Sequence, residues 1–333
     1  MKKILYYLCA VMLLTCVEVQ AESPVLRFNK EGKFKIVQFT DLHYRPDGKP
    51  ECVKVLETVK TVLRVEKPDL IVFTGDVVTG RPVKKAWADI FALCAEFNIP
   101  FAVTFGNHDD EHGTTREGLC EIVSSHPLSL MPANLYEVGS SRCYVVNVLS
   151  SKGDKPINAL FMMDSNAYSP IKSIEGYGWF TNDQIQWYRQ TSAAIRQANN
   201  RKPLPALGFF HIPLPEYTPA FDSNDPTPIG VRGEDECSPK VNSGMFLSML
   251  ESQNMMGTFV GHDHVNDYIA VFNGIALCYG RGTGGKTTYG EQIPGGRVIL
   301  LTENKRSFDT YIRNCEGEIE YKASYPPKRT LKN

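Results

Sequence analysis

Three stretches decide how this chain folds: Phe34-Lys35-Ile36-Val37-Gln38-Phe39-Thr40-Asp41-Leu42-His43, Leu70-Ile71-Val72-Phe73-Thr74-Gly75-Asp76 and Phe101-Ala102-Val103-Thr104-Phe105-Gly106-Asn107-His108-Asp109. Each is an apolar run of strand length that stops abruptly at polar residues, as a strand buried on both faces does where it leaves the core. Between them, residues 51–65 and 83–97 carry apolar side chains at helical spacing. Strand, helix, strand, helix, strand is expected from Phe34 to His108, and that alternation predicts a parallel sheet covered by helices.

Beyond this unit the pattern is richer in strands. They are expected at 143–149, 159–163, 206–210, 258–260, 269–272, 275–278 and 298–301, with a helix from about Thr181 to Gln197 that uses Thr181 as its N-cap. The proline- and glycine-rich segment 212–233 reads as a long ordered loop near the site, because polar signatures lie on both sides of it. The polar, basic tail from Ala323 to Asn333 reads as frayed. Without repeats or low-complexity segments, residues 22–333 are expected to form a single domain.

The 333 residues are 42% hydrophobic and 22% charged, with a formal net charge of −1. Such a balance gives no basic field to recruit nucleic acid as a macromolecular partner, and it is not the composition of a disordered chain. Lys2 and Lys3 precede an apolar run from Ile4 to Val17, followed by the small-residue cleavage site Val19-Gln20-Ala21. Residues 1–21 therefore read as a signal peptide, and the protein as exported, periplasmic or secreted. A lipid anchor on Cys16 fits less well, since Thr15 precedes it. No later apolar stretch approaches the ~20 residues of a membrane span. Removal of the signal leaves Cys52, Cys94, Cys120, Cys143, Cys237, Cys278 and Cys315, scattered and without a CxxC pair, so buried thiols are expected rather than a disulfide framework.

Histidine is scarce, seven in all, and five of the seven sit in short polar signatures at expected strand ends: His43, His108, His211, His262 and His264. Ligand sites in open α/β sheets form just beyond the carboxyl ends of strands. Asp41 and His43, two residues apart, can converge on one cation, although alone such a pair also describes a capped turn. Gly75 permits a tight turn that presents Asp76, a carboxylate able to bridge two ions. Asn107, His108 and Asp109 place an amide oxygen, an imidazole and a carboxylate in one turn. His211 closes a strand beside Pro213, a position that by itself suits a hydrogen-bonded structural histidine. His262 and His264, if extended, point to one side while Asp263 faces away. Mixed oxygen and nitrogen donors suit Mn, Fe or Zn, and the lack of cysteine donors argues against a structural zinc site. Outside these signatures, Arg45, Arg81, Arg232 and Arg281 read as surface ion-pair residues, with a bidentate phosphate clamp as the alternative, Trp179 and Trp187 as core, and His112 and His126 as surface residues, His112 within reach of substrate as its alternative.

The order DxH, GDxxxG, GNHD, a lone His and GHDH, from Asp41 to His264, resembles the calcineurin-like metallophosphoesterase superfamily. The fuller strings GDVVTG (75–80), GNHDDE (106–111), FFHIPLPE (209–216) and GHDHVND (261–267) look like its branch related to purple acid phosphatases. The resemblance implies a four-layer α/β/β/α sandwich of two mixed sheets and two divalent metal ions. It assigns Asp41, His43 and His264 to one ion and Asn107, His211 and His262 to the other, with Asp76 bridging. It further implies hydrolysis of a small phosphate ester by a metal-bound hydroxide, with His108 as general acid or transition-state charge stabiliser and Asp109 orienting its ring. No protein partner is implied. A phosphomonoesterase is expected; a phosphodiesterase or nucleotidase of the same fold, and a non-catalytic metal-binding surface protein, are the alternatives. In one respect the chain departs from purple acid phosphatases: His43 and Thr79 stand where the DxG glycine and the GDxxY tyrosine would be. The tyrosine gives the ferric colour, so a purple Fe(III) centre is not implied, while iron itself is allowed.

Overall fold

A computed structural model describes residues 24–133, 135 and 142–327. The segment read as a signal peptide, 1–21, lies outside the described residues, as does 328–333. In chain order the strands are β1 (Leu26–Arg27), β2 (Lys33–Phe39), β3 (Leu70–Thr74), β4 (Phe101–Thr104), β5 (Tyr144–Leu149), β6 (Pro156–Met162) and β7 (Ala206–Phe209). They continue with β8 (Met255–Val260), β9 (Ile269–Phe272), β10 (Ile275–Tyr279), β11 (Gly295–Thr302), β12 (Phe308–Asn314) and β13 (Ile319–Tyr325). The helices are α1 (Pro50–Glu66), α2 (Val83–Phe97), α3 (Arg116–Ser124), α4 (Asn182–Ala198), α5 (Tyr217–Ser223) and α6 (Met245–Ser252).

The expected β-α-β-α-β unit is β2-α1-β3-α2-β4, and its three strands pair in parallel register, Val37 beside Ile71 and Ile71 beside Phe101. Pro50 starts α1 at a position where a missing N–H costs nothing, and Lys67 ends it in the left-handed conformation at φ 47°. β11, β12 and β13 extend this sheet antiparallel on the far side of β2, giving the order β13-β12-β11-β2-β3-β4. The second sheet runs β1-β5-β6-β7-β8-β10-β9, parallel through β6, β7, β8 and β10 and antiparallel at β5 and β9. An apolar core joins the two sheets, with Phe259 of one 5.5 Å from Phe308 of the other. A second core packs Phe161, Tyr188 and Met249 between the seven-stranded sheet and the α4–α6 pair. Helix, sheet, sheet, helix is thus the layer order, the expected sandwich of two mixed sheets.

Some elements depart from the expectations. β12 buries Phe308, Thr310, Ile312 and Asn314 alternately, but two of those four are polar, so the alternation is blurred in the sequence. Thr310 donates to the Val298 carbonyl at 2.8 Å and the Asn314 amide to Glu320 at 2.8 Å, which is what allows them inside. β13 takes Ala323–Tyr325 from the tail read as frayed. α5 occupies part of the expected 212–233 loop, anchored by the Tyr217 hydroxyl 2.8 Å from Thr258 Oγ1. His126 is half-buried rather than superficial, its ring 5.0 Å from that of Phe91 and 5.5 Å from that of Phe101. Among the described residues, no helix is long and apolar enough to cross a membrane. Cys52, Cys94, Cys120 and Cys278 are buried thiols, as expected.

Thr181 caps α4 as expected and does so reciprocally: its side chain accepts from the Gln184 N–H, and the Gln184 side chain accepts from the Thr181 N–H at 2.9 Å. Thr181→Ala is therefore expected to lower the free energy of unfolding by about 1 kcal/mol, read as a shifted urea midpoint at constant slope.

Candidate active site

Five parallel strands, β2, β3 and β4 of one sheet and β7 and β8 of the other, deliver their carboxyl ends to one place. Below it, buried Gln38 ties the sheets together, its amide donating to Thr74 Oγ1 at 2.8 Å and to the Val260 carbonyl at 3.0 Å. The loops leaving these strands bring Asp41, His43, Asp76, Asn107, His211, His262 and His264 into one cluster. Ligand atoms of Asp41, His43, Asp76 and His264 all lie within 4.8 Å of one another. His211 Nε2 is 3.3 Å from Asp76 Oδ2 and 4.0 Å from Asp41 Oδ1, and the His211 and His262 rings are 5.1 Å apart. Asn107 is buried beside Gly106, where a Cβ would lie 2.1 Å from Asp76 Oδ1; only glycine lets β4 come so close.

The electrostatics call for cations. Asp41 and Asp76 are each 1% exposed, and within 4 Å they meet histidines but, among the described residues, no Lys or Arg. Buried charges persist only when paired or bound to metal. Burial pushes the Asp41 carboxyl up to about 6, with Asp76 adding to it. Asp76 is held well below the usual range: burial opposes its charge, but the surrounding imidazoles, His211 first, outweigh that. Burial also drives His43 down to about 3 and His264 to about 4 and holds His262 well below the usual imidazole range, which keeps these rings neutral, the form that coordinates metal. His211 alone is raised, to about 9: burial works against its charge and the two carboxylates overcome it. Its Nδ1 donates to the Thr74 carbonyl at 2.8 Å, leaving Nε2 to face the carboxylates.

The donor set fits metal ions on a further count. His43 Nε2, Asn107 Oδ1, His211 Nε2, His262 Nε2 and His264 Nδ1 are buried polar atoms without a hydrogen-bond partner. Leaving such atoms unsatisfied costs about 1–3 kcal/mol each, so a concentration of them in one cluster marks where ions would sit. Backbone strain collects there too. Asp41, His43, Asp76 and His262 all have positive φ, 53°, 44°, 50° and 80°, a conformation that costs a non-glycine residue about 1–2 kcal/mol.

Two expectations are corrected here. Asp109 does not orient His108. Its carboxylate is fully buried and accepts from the backbone N–H groups of Asp76, Val77, Val78 and Gly106 at 2.7–3.2 Å, so it braces the turn that presents Asp76. Glu111 holds His108 instead, with Oε2 2.7 Å from Nδ1. The sequence does contain a signal, the second acidic residue in GNHDDE, but residue spacing alone cannot say which carboxylate reaches the ring. Secondly, His262 and His264 do not alternate along a strand. β8 ends at Val260, and the left-handed turn at His262 sends its ring toward His211 while His264 packs 4.9 Å from His43. Asp263 does face elsewhere, accepting from the Tyr279 hydroxyl at 2.5 Å.

Three of the four arginines are committed to ion pairs. Arg281 is buried rather than superficial and pairs with Asp267 and Glu320; Arg232 pairs with Asp222, Asp235 and Glu236; Arg45 pairs with Asp47 and Glu51. Arg81 stays exposed beside Gly113. Trp187 and Trp179 are both half-buried rather than core, Trp187 packing edge-on to Phe161 at 5.9 Å. Three tyrosines gave no signal in the sequence. Tyr177 lies 4.3 Å from His262, Tyr289 lies 4.4 Å from His264, and the Tyr168 hydroxyl is hydrogen-bonded to Glu111 and Asn107.

Comparison with known proteins agrees with this geometry. The family model described as calcineurin-like phosphoesterase matches residues 34–266, a span that contains every residue of the cluster. A protein of Arabidopsis thaliana named probable inactive purple acid phosphatase 29 is 34% identical, covering 89% of this chain and 84% of its own length. Phosphatase DCR2 of Saccharomyces cerevisiae is 33% identical over 86% of this chain and 55% of its own length. Among solved structures, a dimetal phosphatase from Danio rerio superposes with a TM-score of 0.63 at 11% identity, covering 89% of this chain and 99% of that one. A purple acid phosphatase from yellow lupin seeds gives 0.52 at 13% identity, covering 93% and 59%. With a family model spanning most of the chain and relatives alike over nearly its whole length, this protein belongs to the calcineurin-like phosphoesterase family.

Proposed function

We propose that this protein is an exported phosphoesterase that uses two divalent metal ions, Mn, Fe or Zn, to hydrolyse small phosphate monoesters. The observation that carries the reading is the convergence of five unpartnered buried donor atoms on two buried carboxylates. Asp41, His43 and His264 would hold one ion, Asn107, His211 and His262 the other, and Asp76 both. Bound there, two such ions supply an activated water and neutralise charge on the phosphoryl oxygens. Export rests on the sequence of residues 1–21.

The protein's own part follows from His108. It stands at the lip of the cluster, 38% exposed, with its ring 5.6 Å from that of His43. Because Glu111 engages Nδ1, Nε2 is the nitrogen left to give a proton to the departing alcohol. Asp109 keeps Asp76 in place, and the Thr74 carbonyl fixes the tautomer of His211.

His108→Ala is expected to lower kcat by about 10²–10⁴-fold while both metals remain bound. A substrate panel of monoesters and diesters, with metal analysis of the same sample, tests the whole reading. The Arabidopsis relative is named inactive, which favours a second reading, a metal-binding protein without catalysis. Two bound metals with neither ester class hydrolysed would select it.

A further inference from the structure

Beside the cluster stands a wall that the hydrolytic chemistry does not use. Residues 167–178 fold back on themselves: the Ser169 N–H donates to the Gly176 carbonyl and the Gly178 N–H to the Ala167 carbonyl, both at 3.0 Å. Tyr168 and Tyr177 pair across this hairpin with rings 6.0 Å apart and inclined by 22°, an offset stack. Its base is pinned by Asn166, whose amide donates to the Trp179 carbonyl and to Gln184 Oε1 at 2.9 Å and whose oxygen accepts from Arg142.

The hairpin touches the site at two points. The Tyr177 ring meets His262 edge-on at 4.3 Å, and the Tyr168 hydroxyl donates to Glu111 Oε1 at 3.0 Å while accepting from the Asn107 amide at 3.4 Å. Glu111 in turn holds His108, the proton donor for the leaving alcohol, so Tyr168 lies on the side by which that alcohol departs. With its hydroxyl already engaged and the residue 51% exposed, what Tyr168 offers is a ring face. Tyr289 repeats the arrangement at His264, 54% exposed with its hydroxyl bonded to Glu234 at 2.9 Å. A half-exposed aromatic ring, tethered at its hydroxyl beside a polar site, is suited to stacking.

Building on the phosphoesterase reading, we propose that the 167–178 hairpin is the platform for the alcohol portion of the ester. It selects phosphomonoesters whose alcohol carries a planar π group, an aryl ring or a nucleobase. The test is calorimetric titration of the metal-loaded protein with the uncleavable 5′-methylenephosphonates of adenosine and of ribose, which differ only in the base. The adenosine compound is expected to bind about tenfold more tightly or better. Tyr177→Leu and Tyr168→Leu should bring that ratio toward one, and Tyr177→Phe should keep it. Equal affinities in the wild type, or a ratio that survives in both leucine variants, overturns the platform. Benzylphosphonate separates the two sources: affinity matching the adenosine compound assigns an aryl ester, weaker affinity a nucleotide, and either ordering upholds the stacking. Phosphonates report whether or not esters are cleaved. An intact ratio without turnover of any ester strikes the hydrolase reading alone, and turnover with equal affinities strikes the platform alone.

Discussion

Asp76→Ala is expected to yield a folded protein that binds neither metal and loses at least about 10³-fold in kcat/KM, since several kcal/mol of charge stabilisation leave with the ions. Asp76 is the carboxylate proposed to serve both ions. It is 1% exposed, flanked by His43 at 3.5 Å and His211 at 3.3 Å, and its Oδ1 also accepts from the His108 N–H at 2.9 Å. Asp41 also meets histidines of both sets, His264 at 3.6 Å and His211 at 4.0 Å, but Asp76 makes the shorter contact to His211. Metal analysis alongside circular dichroism checks the prediction, and a well-folded variant that retains two metals would remove the bridging role.

Asp109→Ala is expected to do its damage differently, lowering the free energy of unfolding by about 4 kcal/mol or more. The change strands four backbone N–H groups in a closed turn, each worth about 1–3 kcal/mol if left unsatisfied, with partial relief from water. Metal-depleted protein is the right sample, because lost metal binding would otherwise add to the difference. Denaturant titration gives the answer. An unchanged midpoint combined with a loss of kcat like that of His108→Ala would restore Asp109 as the residue that orients the imidazole.

The fold was legible from 34 to 108 because its strands are short, apolar and bounded by glycine or polar residues, the clearest periodicity a sequence offers. The cluster was legible because its histidines stand at those strand ends. What escaped notice had physical causes. β12 hides two buried polar residues in its alternation, and the short α5 contains Pro219 and lies within a proline-rich stretch. The exchange of roles between Asp109 and Glu111 turns on where a tight turn points each side chain, and adjacent letters do not encode that. Tyr168 reaches Glu111 from 57 residues away, so only the folded chain connects them.

Metal content and ester hydrolysis measured on one wild-type preparation test the central claim most directly. Two divalent ions per chain, with monoester hydrolysis that chelation abolishes and metal restores, is the predicted result. Hydrolysis that persists in fully metal-depleted protein, or a chain that takes up no metal under any loading condition, would contradict it.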